Sequence, residues 1–390
     1  MPSDKKINVI MFNMSSYSDW ARRGVVNRNW QILQQLLVNE KINKIIAVDF
    51  LPHTFKRGLR VLKEDLLTNN LSGQVNRLFL GQTTKISDKL VIYSTILSLF
   101  SVKKLYQQIA NLAKSFFNQE DFIIWSFYPL AVNYFDQLEP TLKVFDAVDN
   151  WSEHPSLIRF KNRLLDNYKI IDQKADIIFT VSNELENLFA HKEKIHWVPN
   201  GVDLKHFQKD FPLINRDIGH IPHPIIGYIG TIQERFDVDL VEYLAISNPE
   251  KSLVLVGPVW QKEIKDQLAK FKNVYFLGRK SYEASPMYIH QFEVGIIPHK
   301  IDKFIKSTNP MKIYDYLACG KPVVSTQSLG LPEFLDFVAV TTDYQKFQDA
   351  IVEALRSDSD ALRRQRIALV KEHSWLKRSE RMLEIIFQKL

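Results

Sequence analysis

Short apolar runs alternate with longer amphipathic stretches along the chain, and this alternation strongly limits the folds that the chain can adopt. In the first half, amphipathic stretches such as residues 25–40 and 157–173 have the periodicity of surface helices. The apolar runs between them have the length of buried strands, at residues 7–12, 44–50, 121–127, 142–148, 175–182 and 194–199. Strands that alternate with helices predict a parallel β-sheet that is covered on both faces.

The same pattern begins again after a stretch rich in turn-forming residues. The runs of the second half lie at residues 221–232, 252–259, 273–279, 292–299 and 321–326. A chain of 390 residues is also too long for one ordinary hydrophobic core. We therefore predict an α/β protein with two doubly wound domains, at residues 1–200 and 201–372, and a C-terminal amphipathic helix at 373–390. Ligands of such folds bind beyond the carboxyl ends of the strands.

The cysteine and histidine content argues against disulfide and metal sites. Cys319 is the only cysteine, and the ten histidines lack the spacing of metal ligands. The N-terminus lacks the apolar segment of a signal peptide, and the longest apolar stretch, residues 90–100, is about half a membrane span. We expect a cytoplasmic protein without a resident metal or cofactor.

The positive charge is concentrated near the N-terminus. Residues 1–115 contain 17 Lys and Arg against 7 Asp and Glu, whereas residues 116–390 contain 34 against 37. The excess forms either solvated helix faces or a surface for an anionic membrane or acceptor. We expect no nucleic-acid partner, because no recognised binding motif accompanies the charge.

A helix with a cation at its start follows Ser307 in the second half. We expect Asn309 to cap this helix, Pro310 to occupy its first position, and Gly320 to end it in a left-handed conformation. Lys312 then lies in the first turn, where the helix dipole disfavours a cation by about 0.3–1 kcal/mol. A bound anion would offset that cost.

Three further residues of this half complete a candidate nucleotide site. Asp315 lies three residues after Lys312, and a carboxylate is a good acceptor for ribose hydroxyls. The alternative is a surface Lys–Asp pair that contributes about 0.3–0.5 kcal/mol. In "YIGTIQERFD", Gly230 lets a ligand approach the backbone after a strand, and Arg235 enters the next helix as a second anion contact. A structural role for this glycine is the alternative.

In the first half, candidate sugar contacts follow two of the predicted strands. Asp149 and Trp151, in "VFDAVDNWSEHP", combine a hydroxyl acceptor with a flat apolar ring, or else form a capped turn before a helix. Gly24 and Arg28, after the first strand, would border an acceptor or a donor diphosphate, or belong to a plain loop.

Several of these segments resemble bacterial nucleotide-sugar glycosyltransferases of the GT-B fold, of the family 4 (group 1) type. They are "IIGYIGTIQERFDVDLVEYLA", "VPNGVD", "FEVGIIPHKIDKFIKSTNPMKIYDYLACGKPVVST" and "HSWLKRSERMLEIIFQKL". The resemblance covers most of residues 144–390 and implies two Rossmann-like domains that face a cleft. The acceptor would bind the first domain and the donor the second, and the last helix would cross back to the first. It also implies transfer with retention at the anomeric carbon and without a metal.

The resemblance implies a role for each matching residue. Asp315 takes the place of the glutamate that holds the donor ribose, and Arg235 that of the basic residue that holds the diphosphate. Lys312 and the backbone at Ser307, Thr308 and Asn309 would flank the diphosphate.

Asp149 falls near a histidine that touches the donor sugar in many relatives. The chain departs from the pattern at Ser307, where an acid is usual, and at Thr231, where an arginine is usual.

We therefore expect a hexosyltransferase-type enzyme that uses a nucleoside-diphosphate sugar. Its acceptor would be a hydroxyl of a saccharide or of a lipid-linked acceptor, in cell-surface polysaccharide or glycolipid synthesis. The basic first half would allow peripheral contact with the inner face of an anionic membrane. The alternatives are a nucleotide-sugar epimerase of the same fold and a non-catalytic partner subunit.

Overall fold

A computed structural model of the chain describes residues 6–67, 73–209, 217–327 and 330–390. Its contacts divide the chain into two compact units. The first unit comprises residues 1–198 and 379–390, and the second comprises residues 199–378. None of the helices in the described ranges is long and apolar enough to cross a membrane.

The first unit is built on a nine-stranded sheet in the order β3-β4-β5-β2-β1-β6-β7-β8-β9. Its strands are β1 Ile7–Phe12, β2 Ile42–Val48, β3 Gln74–Leu78, β4 Gly81–Lys85, β5 Leu90–Thr95, β6 Phe122–Ser126, β7 Leu142–Ala147, β8 Ile177–Thr180 and β9 Ile195–Trp197. Its α-helices are α1 Tyr17–Arg23, α2 Arg28–Val38, α3 Phe55–Val61, α4 Val102–Phe116, α5 Tyr134–Gln137, α6 Lys161–Lys174 and α7 Asn183–Glu186. A π-helix, Leu62–Leu67, and the 3₁₀ segments Leu97–Leu99, Trp151–Glu153, Pro155–Phe160 and Lys192–Lys194 connect them.

The parallel sheet predicted for the first half is present, with an antiparallel extension at one edge. Strands β1, β2 and β5 to β9 pair in parallel. Strands β3 and β4 pair antiparallel with each other and join β5. The sequence did not predict this extension, because the side chains of β3 are exposed or half-buried and carry no continuous apolar run.

The second unit is built on a six-stranded parallel sheet in the order β12-β11-β10-β13-β14-β15. Its strands are β10 Ile225–Ile229, β11 Ser252–Val256, β12 Val274–Gly278, β13 Val294–Ile297, β14 Val323–Ser325 and β15 Val338–Val340. Its α-helices are α8 Leu204–Phe207, α9 Val238–Ser247, α10 Lys262–Leu268, α11 Ser285–Ile289, α12 Lys303–Ser307, α13 Met311–Ala318, α14 Tyr344–Ser357 and α15 Asp360–Lys371, with a 3₁₀ turn at Pro332–Phe334. The last helix, α16 Trp375–Lys389, has residues in both units.

Two apolar clusters cover the two faces of this second sheet, as a doubly wound fold requires. One cluster contains the buried residues of α13, and the other contains those of α9. The α/β fold class predicted from the sequence is confirmed.

Two local expectations about helix starts were wrong. Pro310, not Asn309, occupies the N-cap position of α13, and the Asn309 Oδ1 atom accepts from the Asn200 N–H and the Tyr314 hydroxyl. Arg235 precedes helix α9, which begins at Val238 and is capped by the Asp237 side chain. Gly320 follows α13 with a φ of 72°, which confirms the left-handed end of that helix.

Candidate active site

The side chain of Lys312 lies against Gly230, at the carboxyl end of strand β10. A methyl group added at Gly230 would lie 2.3 Å from Lys312 Cε and 2.8 Å from its Nζ. The Nζ atom also lies 5.6 Å from the centre of the Tyr228 ring. The space in front of Gly230 therefore accommodates the lysine, and the start of α13 meets the end of β10 there.

Lys312 is a half-buried cation without a salt bridge in the described part of the chain. Burial, and after it the charge of Arg235, lowers the pKa of Lys312 to about 7, although Asp315 acts in the opposite direction. Burial likewise raises the pKa of Asp315 to about 8, although Lys312 favours the carboxylate. Because both pKa values lie near neutral pH, a charged or hydroxyl-bearing ligand can change the protonation of Lys312 and of Asp315 when it binds.

Arg235 adds a second positive charge beside Lys312. It lies in the loop between β10 and α9, where its carbonyl accepts a hydrogen bond from the Lys300 N–H at 2.8 Å. Its Nε atom is buried and has no hydrogen-bond partner in the part of the chain that the structure describes. A buried donor without a partner is costly, and a bound anion would satisfy it.

His299 belongs to this group of residues, although the sequence analysis did not select it. It follows strand β13 and is 3% exposed, and neither of its ring nitrogens has a partner among the described residues with the geometry of a hydrogen bond. Burial, together with Lys312 and Arg235, holds its pKa well below the usual value, so the imidazole is neutral. Its position just after a strand was the available signal.

Ser307, Thr308 and Asn309 lie in the segment before α13. The Ser307 hydroxyl donates to the Phe304 carbonyl at 2.7 Å, and the Thr308 hydroxyl donates to the Ile305 carbonyl at 3.0 Å. These contacts return both hydroxyls to the preceding helix, α12.

The Asn309 side chain joins this segment to a second loop. Its Oδ1 atom accepts hydrogen bonds from the Asn200 N–H at 3.0 Å and the Tyr314 hydroxyl at 3.1 Å. Its Nδ2 atom is buried and has no hydrogen-bond partner among the residues at 6–67, 73–209, 217–327 and 330–390. The amide therefore fixes the approach to α13, and it retains one donor for a ligand.

The sugar-contact candidates of the first unit lie just after β7. Asp149 is half-buried, and its carbonyl accepts a hydrogen bond from the Tyr168 hydroxyl at 3.3 Å. Trp151 is 8% exposed, and its ring packs edge-on against Tyr128 at 5.7 Å. Trp151 therefore offers little ring surface to a sugar in this conformation.

Gly24 and Arg28 have structural partners inside the first unit. Gly24 ends helix α1 with a φ of 59°. Arg28 is 1% exposed, and its Nε donates to Asp146 Oδ1 at 2.9 Å in a buried ion pair. Its guanidinium also contacts the sulfur of Met382 at 3.8 Å. The described residues contain no group of three His, Cys, Asp or Glu side chains that could hold a metal ion.

Comparison with known proteins identifies the class of this fold. It is similar to the structure of HepE from Anabaena in complex with UDP, with a TM-score of 0.67, 14% identity, and coverage of 97% of this chain and 99% of HepE. It is also similar to sucrose-phosphate synthase from Thermosynechococcus elongatus, with a TM-score of 0.68, 15% identity, and coverage of 98% and 99%. The chain has the GT-B fold.

Sequence comparison finds a family model that matches part of the second unit. The family model described as "Glycosyl transferases group 1" matches residues 223–357, which include Gly230, Arg235, Lys312 and Asp315. This match confirms, over residues 223–357, the resemblance to group 1 glycosyltransferases that the sequence predicted.

A curated relative extends this match. TuaH of Bacillus subtilis (strain 168), named for a glycosyltransferase role in teichuronic acid biosynthesis, is 27% identical over 260 residues. The aligned part covers 62% of this chain and 64% of that relative.

Proposed function

We propose that this protein is a glycosyltransferase that moves a sugar from a nucleoside-diphosphate sugar to a hydroxyl of a saccharide or lipid-linked acceptor. The observation that carries the proposal is the pair of adjacent cations at Lys312 and Arg235, which have no salt-bridged carboxylate in the described ranges. Their charges are compensated when a diphosphate binds. The match to group 1 glycosyltransferases supports the same function.

The donor would bind the second unit through charge and hydrogen bonds. Lys312, Arg235 and the Asn309 amide would contact the diphosphate, and the ionised carboxylate of Asp315 would accept the ribose hydroxyls. The neutral ring of His299 would supply a further hydrogen bond to the diphosphate or sugar. Asp149 and the backbone at Ser307 and Thr308 stay predicted donor contacts.

The chemistry would proceed with retention at the anomeric carbon. The bond from that carbon to the diphosphate oxygen breaks, and its electron pair stays on the leaving diphosphate. The acceptor oxygen bonds to the same carbon on the same face, and its proton passes to the leaving phosphate. Lys312 and Arg235 stabilise the charge that develops on the diphosphate, which is the task that a resident metal performs in other transferases. We therefore propose that no resident cofactor is required.

Cell-surface polysaccharide synthesis is the process that the relatives favour. TuaH is named for teichuronic acid biosynthesis, and HepE has been captured with UDP and glucose. We propose a similar role, with the protein held peripherally at an anionic membrane by its basic first half.

Nucleotide binding by purified protein tests the donor site. A panel of nucleoside diphosphates should contain at least one that raises the unfolding temperature. Lys312→Met should lower the affinity for that nucleoside diphosphate by about 10- to 100-fold, because a charge-assisted hydrogen bond contributes about 1.5–3 kcal/mol. A protein that binds no member of the panel would support the alternative of a non-catalytic subunit.

The pH dependence of nucleotide binding measures the contribution of Lys312 to the affinity. A bound diphosphate raises the pKa of Lys312, so its contribution is complete below about pH 7 and is lost as the pH rises above that value. The Asp315→Asn background removes the second titrating group. There, the affinity should fall with rising pH, and Lys312→Met should abolish the fall.

The products distinguish transfer from epimerisation. Incubation with the donor alone should leave the nucleotide sugar unchanged except for slow hydrolysis. An epimerised nucleotide sugar formed without an acceptor would contradict the proposal.

A further inference from the structure

Three arginines surround His53 at one edge of the first sheet. His53 follows strand β2, and Arg159 and Arg163 lie at the start of the helical segment after β7. Arg57 belongs to helix α3. The carboxyl ends of β2, β6 and β7 lie at this edge because these strands run parallel, and this is the edge where α/β folds bind ligands.

Aromatic rings hold two of the arginines in place. The guanidinium of Arg57 lies 5.0 Å from the centre of the Phe50 ring, and that of Arg159 lies 4.7 Å from the Phe160 ring. Both phenylalanine rings pack edge-on against His53, at 5.8 and 5.1 Å. Each of these two guanidinium groups thus packs on a different phenylalanine ring, and both rings contact the same imidazole.

The third arginine and the histidine are fixed by hydrogen bonds. Arg163 donates through Nη2 to the carbonyl of Leu130 at 2.8 Å. His53 Nδ1 lies 3.3 Å from the hydroxyl of Tyr128, which itself donates to the carbonyl of Leu51 at 2.6 Å. These contacts tie the cluster to the loops that follow β2 and β6.

The cluster lacks counter-charge. Within the described ranges, Arg57, Arg159 and Arg163 form no salt bridge with a carboxylate. Burial, and after it the charges of these three guanidinium groups, lowers the pKa of His53 to about 4, so the imidazole is neutral beside the arginines. By contrast, Arg60, on the same helix as Arg57, is paired with Asp19 at 2.8 Å and Glu64 at 2.9 Å.

We propose that Arg57, Arg159 and Arg163 form a binding site for a phosphate group carried by the acceptor. Guanidinium groups match phosphate oxygens in pairs, and exposed side chains that carry them are accessible to a ligand. The phosphate belongs either to a soluble sugar phosphate or to the headgroup of a lipid. The inference rests on the proposed transferase function and adds the chemical class of the acceptor.

Phosphate binding should be measured in the Lys312→Met background, because inorganic phosphate also suits the donor site. Equilibrium titration with inorganic phosphate and flotation with vesicles of phosphatidylcholine and phosphatidate distinguish the two sources. The test variants are Arg159→Gln and Arg163→Gln. The matched control is Arg60→Gln, which removes an equal charge from the same surface but outside the cluster.

We expect each test variant to weaken phosphate or phosphatidate binding by about tenfold, because each loses one charge-assisted hydrogen-bond donor. The control should bind as its background does. Equal binding by all variants, or binding to neither probe, would overturn this inference. If nucleoside diphosphates still bind the wild-type protein, the proposed donor site survives that result.

Discussion

At the scale of single residues, Lys312 shows which features of the site can be predicted from the sequence and which cannot. Its place at a helix start is an unfavourable choice for a cation, and this predicted a ligand contact. The sequence could not show that its side chain fills the space in front of Gly230, because that contact joins residues 82 positions apart. His299 was missed for a similar reason, since its isolation from hydrogen-bond partners depends on the packing around it.

The contact between Gly230 and Lys312 predicts a sharp effect of a single methyl group. In Gly230→Ala the new Cβ would overlap Lys312 Cε at 2.3 Å and displace the ammonium group. The affinity for the best nucleoside diphosphate should fall by about tenfold or more, which corresponds to at least about 1.4 kcal/mol. Calorimetric titration measures this change.

Gly278→Ala is the matched control for this substitution. Gly278 also has a positive φ, 68°, but no atom lies within 4 Å of an added Cβ. Both variants carry backbone strain, on the order of 1 kcal/mol, so both should unfold at slightly lower temperature. If both lose nucleotide affinity equally, the steric explanation is incorrect.

At the scale of elements, the long apolar runs were predictable and the polar edge was not. The strands that form the centres of both sheets are continuous apolar runs, because both of their faces are buried. Strand β3 is exposed or half-buried, and β4 is mostly buried but polar in sequence, so both lack that signal. The start of α13 was placed within one residue, but the role of Asn309 depends on its partner Asn200, from a distant loop.

The buried pair between Arg28 of α2 and Asp146 of β7 fixes a helix to a strand. Arg28→Met would leave the Asp146 carboxylate buried, with the Trp125 indole N–H at 3.4 Å as a remaining partner. Loss of one partner of a buried ion pair costs about 3–5 kcal/mol. Hydrogen exchange of the β7 amides, which reports on the first unit alone, should become correspondingly faster.

A double variant and a surface control show whether the buried charge causes this faster exchange. Arg28→Met combined with Asp146→Asn should recover part of the lost protection, because no charge remains buried. Lys169→Met removes a cation from an exposed pair with Asp166 and should change the free energy of opening by about 0.5 kcal/mol or less. Unchanged exchange in Arg28→Met would show that the pair does not stabilise the unit.

At the scale of the whole molecule, charge is distributed unevenly between the two parts of the sequence. Residues 1–115 carry the excess of cations. Exposed rings accompany them, since Phe55 and Phe100 are 69% and 57% exposed and pack against each other at 6.1 Å. Exposed lysines, Lys103 and Lys104, lie at the start of the neighbouring helix α4.

This surface predicts salt-sensitive flotation with anionic vesicles. Lys103→Gln combined with Lys104→Gln should reduce binding, because each basic residue near an anionic membrane contributes about 1 kcal/mol. Salt of about 1 M should release the protein, since charges are then screened beyond about 3 Å. The fraction of protein that floats is the measurement.

Lys262→Gln combined with Lys265→Gln provides the control, because it removes the same charge from exposed positions of the second unit. It should leave flotation unchanged. Failure of the wild-type protein to float at low salt would remove the membrane proposal and leave the transferase proposal intact.

The single cysteine makes this chain convenient for fluorescence work. Cys319 is 1% exposed, its sulfur lies 3.7 Å from the Phe207 carbonyl, and burial raises the pKa of its thiol. A maleimide dye should therefore not react with the native thiol, and it should react with cysteines introduced at exposed sites. One dye in each unit would then report the distance between the two units by energy transfer, without a cysteine-free background having to be engineered first.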